Sequence, residues 1–192
     1  MQAEPILSLA VTVAGEQSVQ GALHTIVRGL AAQPGVALAR VWLLFAGDLC
    51  HACFMRAECP DQTQCLHLVA SAGTPLNSPA EDWSFLDGQF RRVPLNMWKV
   101  GVIGATGTPI LIKDFAPESE WIARSDWAKR EEIRSFAGHP LAFRGKTLGV
   151  LAIFSRQPLD EQGFVCRCSY RFSCDFEWVP TSSCSRKNLW LS

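Results

Sequence analysis

Eight cysteines lie in this chain of 192 residues, in two groups: Cys50, Cys53, Cys59 and Cys65, then Cys166, Cys168, Cys174 and Cys184. The first group has the spacing C-x2-C-x5-C-x5-C, with His51 and His67 beside it. Four thiolates so close in sequence can surround one ion, and the first close pair lets a single turn present two sulfurs to one centre. Pro60 and Asp61 favour a turn that returns the chain. A tetrathiolate set suits Zn²⁺ or an iron–sulfur cluster and discriminates against Mg²⁺ and Ca²⁺. Three readings follow: a zinc clip that orders an excursion between strands, a redox- or oxygen-responsive iron–sulfur cluster, and unligated thiols or a reversible thiol switch. A zinc closed by Cys50, Cys53, Cys59 and Cys65 leaves no position for a water, which argues against hydrolysis. His51 and His67 read as neighbours of the site rather than ligands.

Other chemistry is thinly represented. The four histidines are His24, His51, His67 and His139, and no H-E-x-x-H, G-x-S-x-G or phosphate-loop motif occurs. Gly101, Gly104 and Gly107 make a stretch similar to the glycine-rich dinucleotide loop, but Thr108-Pro109-Ile110-Leu111-Ile112 follows as a strand where a helix is needed. Asp82, Asp87, Asp114 and Asp126 are scattered, and Asp114 reads as capping a turn at a strand end. Lysine plus arginine equals aspartate plus glutamate at 18 each. That balance lacks the basic footprint of a nucleic-acid binder. The first residues carry Glu4 and no basic cluster, and no apolar run is long enough for a membrane span, so the expected location is the cytoplasm. In that reducing compartment clustered cysteines favour metal over disulfides.

The elements that position these residues follow from periodicity. Residues 5–13 and 16–32 read as helices, the second with Val19, Leu23, Ile26, Val27 and Leu30 on one face. Val36 to Phe45 and Leu66 to Ala72 read as strands flanking the first cysteine group. Residues 74–99, which carry Pro75, Asn77, Pro79, Gly88 and Pro94, read as mostly loop. A short helix is expected over 97–106, a strand over 109–113 and one or two short helices over 117–132. Two strands, 133–143 and 147–155, are joined by the turn Arg144-Gly145-Lys146, and Pro158 and Asp160 lead towards a final helix. Locally paired strands with helices gathered elsewhere give an α+β fold around an antiparallel sheet.

The stretch Trp98-Lys99-Val100-Gly101 with Ala105-Thr106-Gly107-Thr108-Pro109-Ile110-Leu111-Ile112-Lys113-Asp114 resembles the middle of GAF domains. Ile133 to Phe136, Pro140-Leu141, Arg144-Gly145 and Leu148-Gly149-Val150-Leu151 resemble the closing GAF hairpin. The resemblance covers roughly residues 4–164, and the cysteine-rich stretch is similar to GAF domains in front of bacterial enhancer-binding transcription regulators and sensor histidine kinases. It implies a central antiparallel sheet with N-terminal helices on one face and a loop and helix lid over the other, enclosing a small-ligand pocket. Trp98, Ile103, Ile112, Asp114, Trp121, Phe136, His139 and Leu141 are its candidate lining, and Trp83 and Trp127 fall in the lid. The lid tryptophans read first as packing residues, and His139 first as structural.

The implied function is signal transduction: a sensor that binds an unidentified small molecule or answers redox state, forms a homodimer through terminal helices, and contacts neither nucleic acid nor membrane. The expectation is that the chain is not an enzyme. Some GAF domains reduce free methionine sulfoxide, which requires a nucleophilic thiolate and a resolving thiol within reach; that is the alternative reading, beside a purely structural zinc-stapled dimerisation module. The chain divides into residues 1–164, a sensor domain with a cysteine-rich insertion at 50–67, and residues 165–192, a Cys- and aromatic-rich tail. There the amphipathic closing helix of the family is not evident. The tail reads as foreign to the fold, and the alternative is a second metal site with irregular spacing.

Overall fold

A computed structural model describes residues 4–59, 62–114 and 124–159. The expected second helix is α2 (Val19–Ala31), which follows α1 (Glu4–Ala14). Ser18 begins α2 by accepting the Gly21 N–H at 3.0 Å, the usual service of an N-cap hydroxyl. Its apolar stripe buries Val27 and Leu30, with Leu23 and Ile26 partly buried beside them. The remaining elements are β1 (Val36–Ala46), β2 (Gln64–Gly73), β3 (Arg92–Pro94), α3 (Trp98–Thr106), β4 (Ile110–Ile112), α4 (Ser125–Arg130), β5 (Ser135–Phe143) and β6 (Lys146–Ser155).

The six strands form one antiparallel sheet in the order β3-β2-β1-β6-β5-β4. α2 packs on β1 and β2 from one side, while α3 contacts β3, β5 and β6. Two apolar clusters result. Ala39, Val41, Leu151 and Ile153 meet α2, whereas Leu38, Trp42, Leu66, Val100, Ile103 and Phe136 form the other. The central strands are therefore covered on both faces, which explains why β1 reads as nearly continuous apolar sequence rather than as alternation. The fold is α+β, as expected.

Differences from the sequence reading are local. β3 lies within the stretch read as loop; its three residues pair with Cys65, Leu66 and His67 at the start of β2. The β5–β6 turn places Arg144 at φ 48° and Gly145 at φ 76°, two successive left-handed residues that match the twist of a tight hairpin. Gly101 lets α3 approach β3, because a Cβ there would collide with the Pro94 carbonyl oxygen. The expected closing helix, the tail of residues 165–192 with its four cysteines, and Trp121 lie outside the described residues. Among the described residues no helix is long and apolar enough to cross a membrane.

Candidate functional sites on the two sides of the sheet

Along β1, side chains alternate between the two clusters. Leu38, Arg40 and Trp42 point away from α2 and into a cavity of about 790 Å³. Trp98, Lys99 and Val102 of α3, Trp127 of α4, Ile110, Phe136 and Phe154 close it from that side, and Trp83, Phe85 and Phe90 close it from the segment between β2 and β3. The aromatic rings touch in series. Trp83 and Trp127 have centroids 5.5 Å apart, Trp127 meets Phe154 edge-on at 5.5 Å, and Phe154 meets Phe136 at 5.2 Å. Phe90 and Trp98 form a second pair at 5.1 Å. A space of this size, apolar and aromatic with few polar groups, falls in the range of small-molecule sites.

Of the cations that line this cavity, Arg40, Lys99 and the exposed Arg124, Arg40 stands on the sheet itself. Arg40 donates from Nε to the Ser71 hydroxyl at 3.1 Å, and that hydroxyl donates onward to the Trp83 carbonyl. The Phe90 ring lies 5.9 Å from its guanidinium carbon. Burial pulls the guanidinium down to about 10, which leaves it charged at neutral pH. Burial also lowers Lys99. The acids at the cavity are engaged elsewhere: Glu81 with Arg130 and the Trp83 indole N–H, Asp82 with Ser84, and Asp87 with Arg91.

Of the residues expected to line a pocket, Trp98 and Phe136 do so. Ile103 is fully buried in the cluster beneath, and Ile112 packs partly buried against that cluster. Asp114 faces solvent in a two-bond ion pair with Arg134 at 3.2 and 2.7 Å. His139 and Leu141 have the opposite strand parity to Phe136, and Leu141 packs against the α2 cluster. His139 Nδ1 sits 2.9 Å from the Pro140 carbonyl. Arg40 and Phe90 were not among the sequence candidates. The available signal for Arg40 was a lone arginine at the parity of Leu38 and Trp42.

Of the first cysteine group, Cys50, Cys53 and Cys59 lie in the segment between β1 and β2, and Cys65 lies on β2. Cys50, Cys53 and Cys59 are half-buried, Cys65 is buried, and all four are free thiols. They line one small cleft together with Asp48, Arg56 and Arg92. Cys50 points its thiol at the Gln62 carbonyl, 3.4 Å away. The closed tetrahedral centre expected from the spacing is not formed: among the described residues no three Cys, His, Asp or Glu side chains converge closely enough to hold an ion. Four thiols in one cleft are nonetheless a soft donor set.

The cleft has its own electrostatics. Arg92 forks onto Asp48 with bonds of 2.8 and 2.5 Å, and this pairing holds the Asp48 carboxyl far below the ordinary carboxylate range. Burial pushes the Cys65 thiol up to about 11, against the pull of Arg92. Burial, with Arg92 next, lowers His67; Asp48 at 3.7 Å opposes that, and among the described residues His67 Nε2 has no hydrogen-bond partner. Cys65 and His67 have the opposite parity on β2 to Leu66 and Leu68, which pack in the cluster beneath the large cavity. The thiol cleft and the cavity therefore lie on opposite sides of β2.

Residues 18–168 match the GAF domain family, and the chain belongs to it. No match is found among curated protein sequences. Solved structures share the fold at low identity. The GAF domain of an Acinetobacter phosphoenolpyruvate-protein phosphotransferase is 19% identical with a TM-score of 0.54, over 85% of this chain and 83% of that one. The corresponding domain from Coxiella burnetii is 17% identical with a TM-score of 0.57, over 85% and 83%. The free methionine-R-sulfoxide reductase of Neisseria meningitidis, in complex with its substrate, is 20% identical with a TM-score of 0.56, over 85% and 79%. That last similarity overturns the expectation that such a chain is not an enzyme: a reductase carries this fold at the same degree of likeness as the phosphotransferase GAF domains, so an enzymatic role is compatible with it.

Proposed function

We propose that this GAF domain binds a small organic molecule in the cavity between β1, α3 and the 81–93 segment, and that occupancy is the signal it transmits. The observation that carries this reading is the cavity itself, about 790 Å³ and walled by Trp83, Trp98, Trp127 and Phe90. A ligand that binds one arrangement of the lid and terminal helices better than another shifts their populations. Exposed Val11 on α1 and Val19 at the start of α2 offer apolar surface for the homodimer expected through terminal helices. The output expected for such a sensor is a transcription regulator or a histidine kinase.

The test is direct. The neutral apolar dye Nile red is expected to bind saturably with enhanced emission, and Val102→Trp, which fills the cavity from α3, is expected to weaken it about tenfold or more, as blocking a buried apolar site should. Equal binding by the variant would place the dye on the surface and remove the reading. The same protein is assayed for thiol-dependent reduction of free methionine sulfoxide; turnover would make the chain an enzyme and replace sensing as its role.

We also propose that the cleft of Cys50, Cys53, Cys59 and Cys65 takes up a thiophilic metal, as Zn²⁺ or an iron–sulfur cluster, by drawing the loop closed. The support is the shared cleft and the donor type. Elemental analysis with a visible spectrum, on protein purified without oxygen, is expected to give about one zinc per chain, or iron with sulfide and a brown colour. Metal-free protein that also fails to take up added Zn²⁺ sinks this part.

A further inference from the structure

Arg40 is a built feature that neither the fold nor the packing requires. It occupies a central strand position flanked at the same parity by Leu38 and Trp42, where an apolar side chain would complete the wall. A guanidinium has five N–H donors. Here Nε serves Ser71, and the Ser71 hydroxyl is itself fixed by the Trp83 carbonyl. That relay holds the plane of the fork. No hydrogen bond from the two terminal nitrogens and no carboxylate ion pair of Arg40 is formed among the described residues. Glu81, Asp82 and Asp87 line the same cavity, yet each is committed to Arg130, Ser84 or Arg91. A charge removed from water without a counterion is costly, and the fork that remains matches a carboxylate with two parallel bonds.

We infer that the ligand of this cavity is a small carboxylic acid with a flat apolar body, its carboxylate held by Arg40 and its body lying among Phe90, Trp98 and Trp127. The inference rests on the ligand-binding reading above and adds the ligand's chemical class. Arg40, buried and without a carboxylate partner among the described residues, balances a monoanion; Lys99, Arg124 and the engaged acids also line the cavity, and the rest of its wall is aromatic and aliphatic. Rings such as those of Phe90 and Trp98 stack well on a flat apolar partner. The remainder of the volume leaves room for a body of a few fused or linked rings.

The experiment compares naphthalene-2-carboxylate with its neutral near-isostere naphthalene-2-carboxamide, by calorimetry on the full chain. The acid is expected to bind about 10- to 100-fold more tightly than the amide, the usual return on charge-assisted hydrogen bonds in a shielded site. Arg40→Met is expected to bind both compounds alike, near the affinity of the amide, and Arg40→Lys to keep a reduced preference for the acid. The wild-type comparison needs no variant, so misfolding of either one does not remove the test. Equal affinity of wild type for acid and amide overturns the inference, as does a preference that survives Arg40→Met. If neither compound binds while Nile red still does and is excluded by Val102→Trp, the ligand class is wrong and the binding site stands. If Nile red also fails to find the cavity, both fall together.

Discussion

Glu131→Ala is expected to cost about 3–5 kcal/mol of folding stability at neutral pH, the range for breaking a buried charge network by removing one partner. The carboxyl is fully buried at the end of α4. Its Oε2 accepts the N–H groups of Leu76 at 2.6 Å and Asn77 at 3.3 Å, and its oxygens face Arg156 at 3.7 Å and Arg130 at 3.5 Å. Arg156 in turn donates to the Glu131 carbonyl at 3.0 Å and to the Thr74 carbonyl at 2.8 Å. One side chain thus ties the chain after β2 to α4 and to the end of β6, three segments distant in sequence. Truncation orphans two backbone N–H groups and strips a counterion from two guanidiniums at once. Glu131→Gln keeps an acceptor for Leu76 and is expected to cost about half as much.

The pH dependence has a definite sign. Burial raises the Glu131 carboxyl, but the Leu76 N–H, with Ser78, Asn77 and Arg130, outweighs it and leaves the group below its ordinary value. A carboxyl depressed on folding stabilises the protein above its unfolded value, about 4.3 for glutamate, and that contribution disappears as pH falls through the folded value. Urea unfolding at neutral pH and at a series of acid values measures both effects. Wild type should lose stability on acidification more steeply than Glu131→Gln. An alanine variant within about 1 kcal/mol of wild type would show that the network is an incidental surface feature.

The sequence carries some of this architecture plainly and hides the rest for identifiable reasons. α2 is legible because Leu23, Ile26, Val27 and Leu30 repeat at helical spacing against a polar remainder. The β5–β6 hairpin is legible because a glycine-containing turn separates two apolar runs. β3 is not, since three residues ending in a proline have no periodicity and exist as a strand only because β2 offers them an edge. In β1 the parity of Arg40 is concealed by apolar residues on both faces, Leu38 and Trp42 towards the cavity and Ala39 and Val41 towards α2. The cysteine spacing implies a shared loop, and the four thiols do share one cleft. Spacing does not dictate the distances between sulfurs, which depend on how a loop of many residues settles around them. His139 and Leu141 illustrate the same limit within a strand. The candidate lining mixed both parities of β5, while the sheet sends only one, that of Phe136, to the cavity.

Trp42 joins the fold to the cavity, and Trp42→Ala is expected to cost about 3–5 kcal/mol, as for other large-to-small changes of a buried aromatic. The ring is 2% exposed and packs in the cluster with Leu66, Val93 and Val150. Its indole N–H donates to the Phe90 carbonyl at 3.0 Å. β6 pairs directly with β1 here, and a Cβ at Gly149 would collide with the Trp42 carbonyl oxygen, so the two backbones are already in close contact. Two consequences separate in measurement. Loss of the ring volume acts on the sheet and is read by urea unfolding. Loss of the tether frees the segment bearing Phe90, the ring that faces Arg40, and is read as weakened ligand binding under conditions where the variant is folded. Trp42→Phe restores most of the volume but not the donor, so it should recover most of the stability, remaining about 1 kcal/mol short, while binding stays impaired. If the phenylalanine variant binds ligand as wild type does, the indole hydrogen bond has no part in holding the cavity wall. If the alanine variant unfolds at wild-type urea concentrations, the sheet takes no support from the ring, and the packing argument for β1 fails with it.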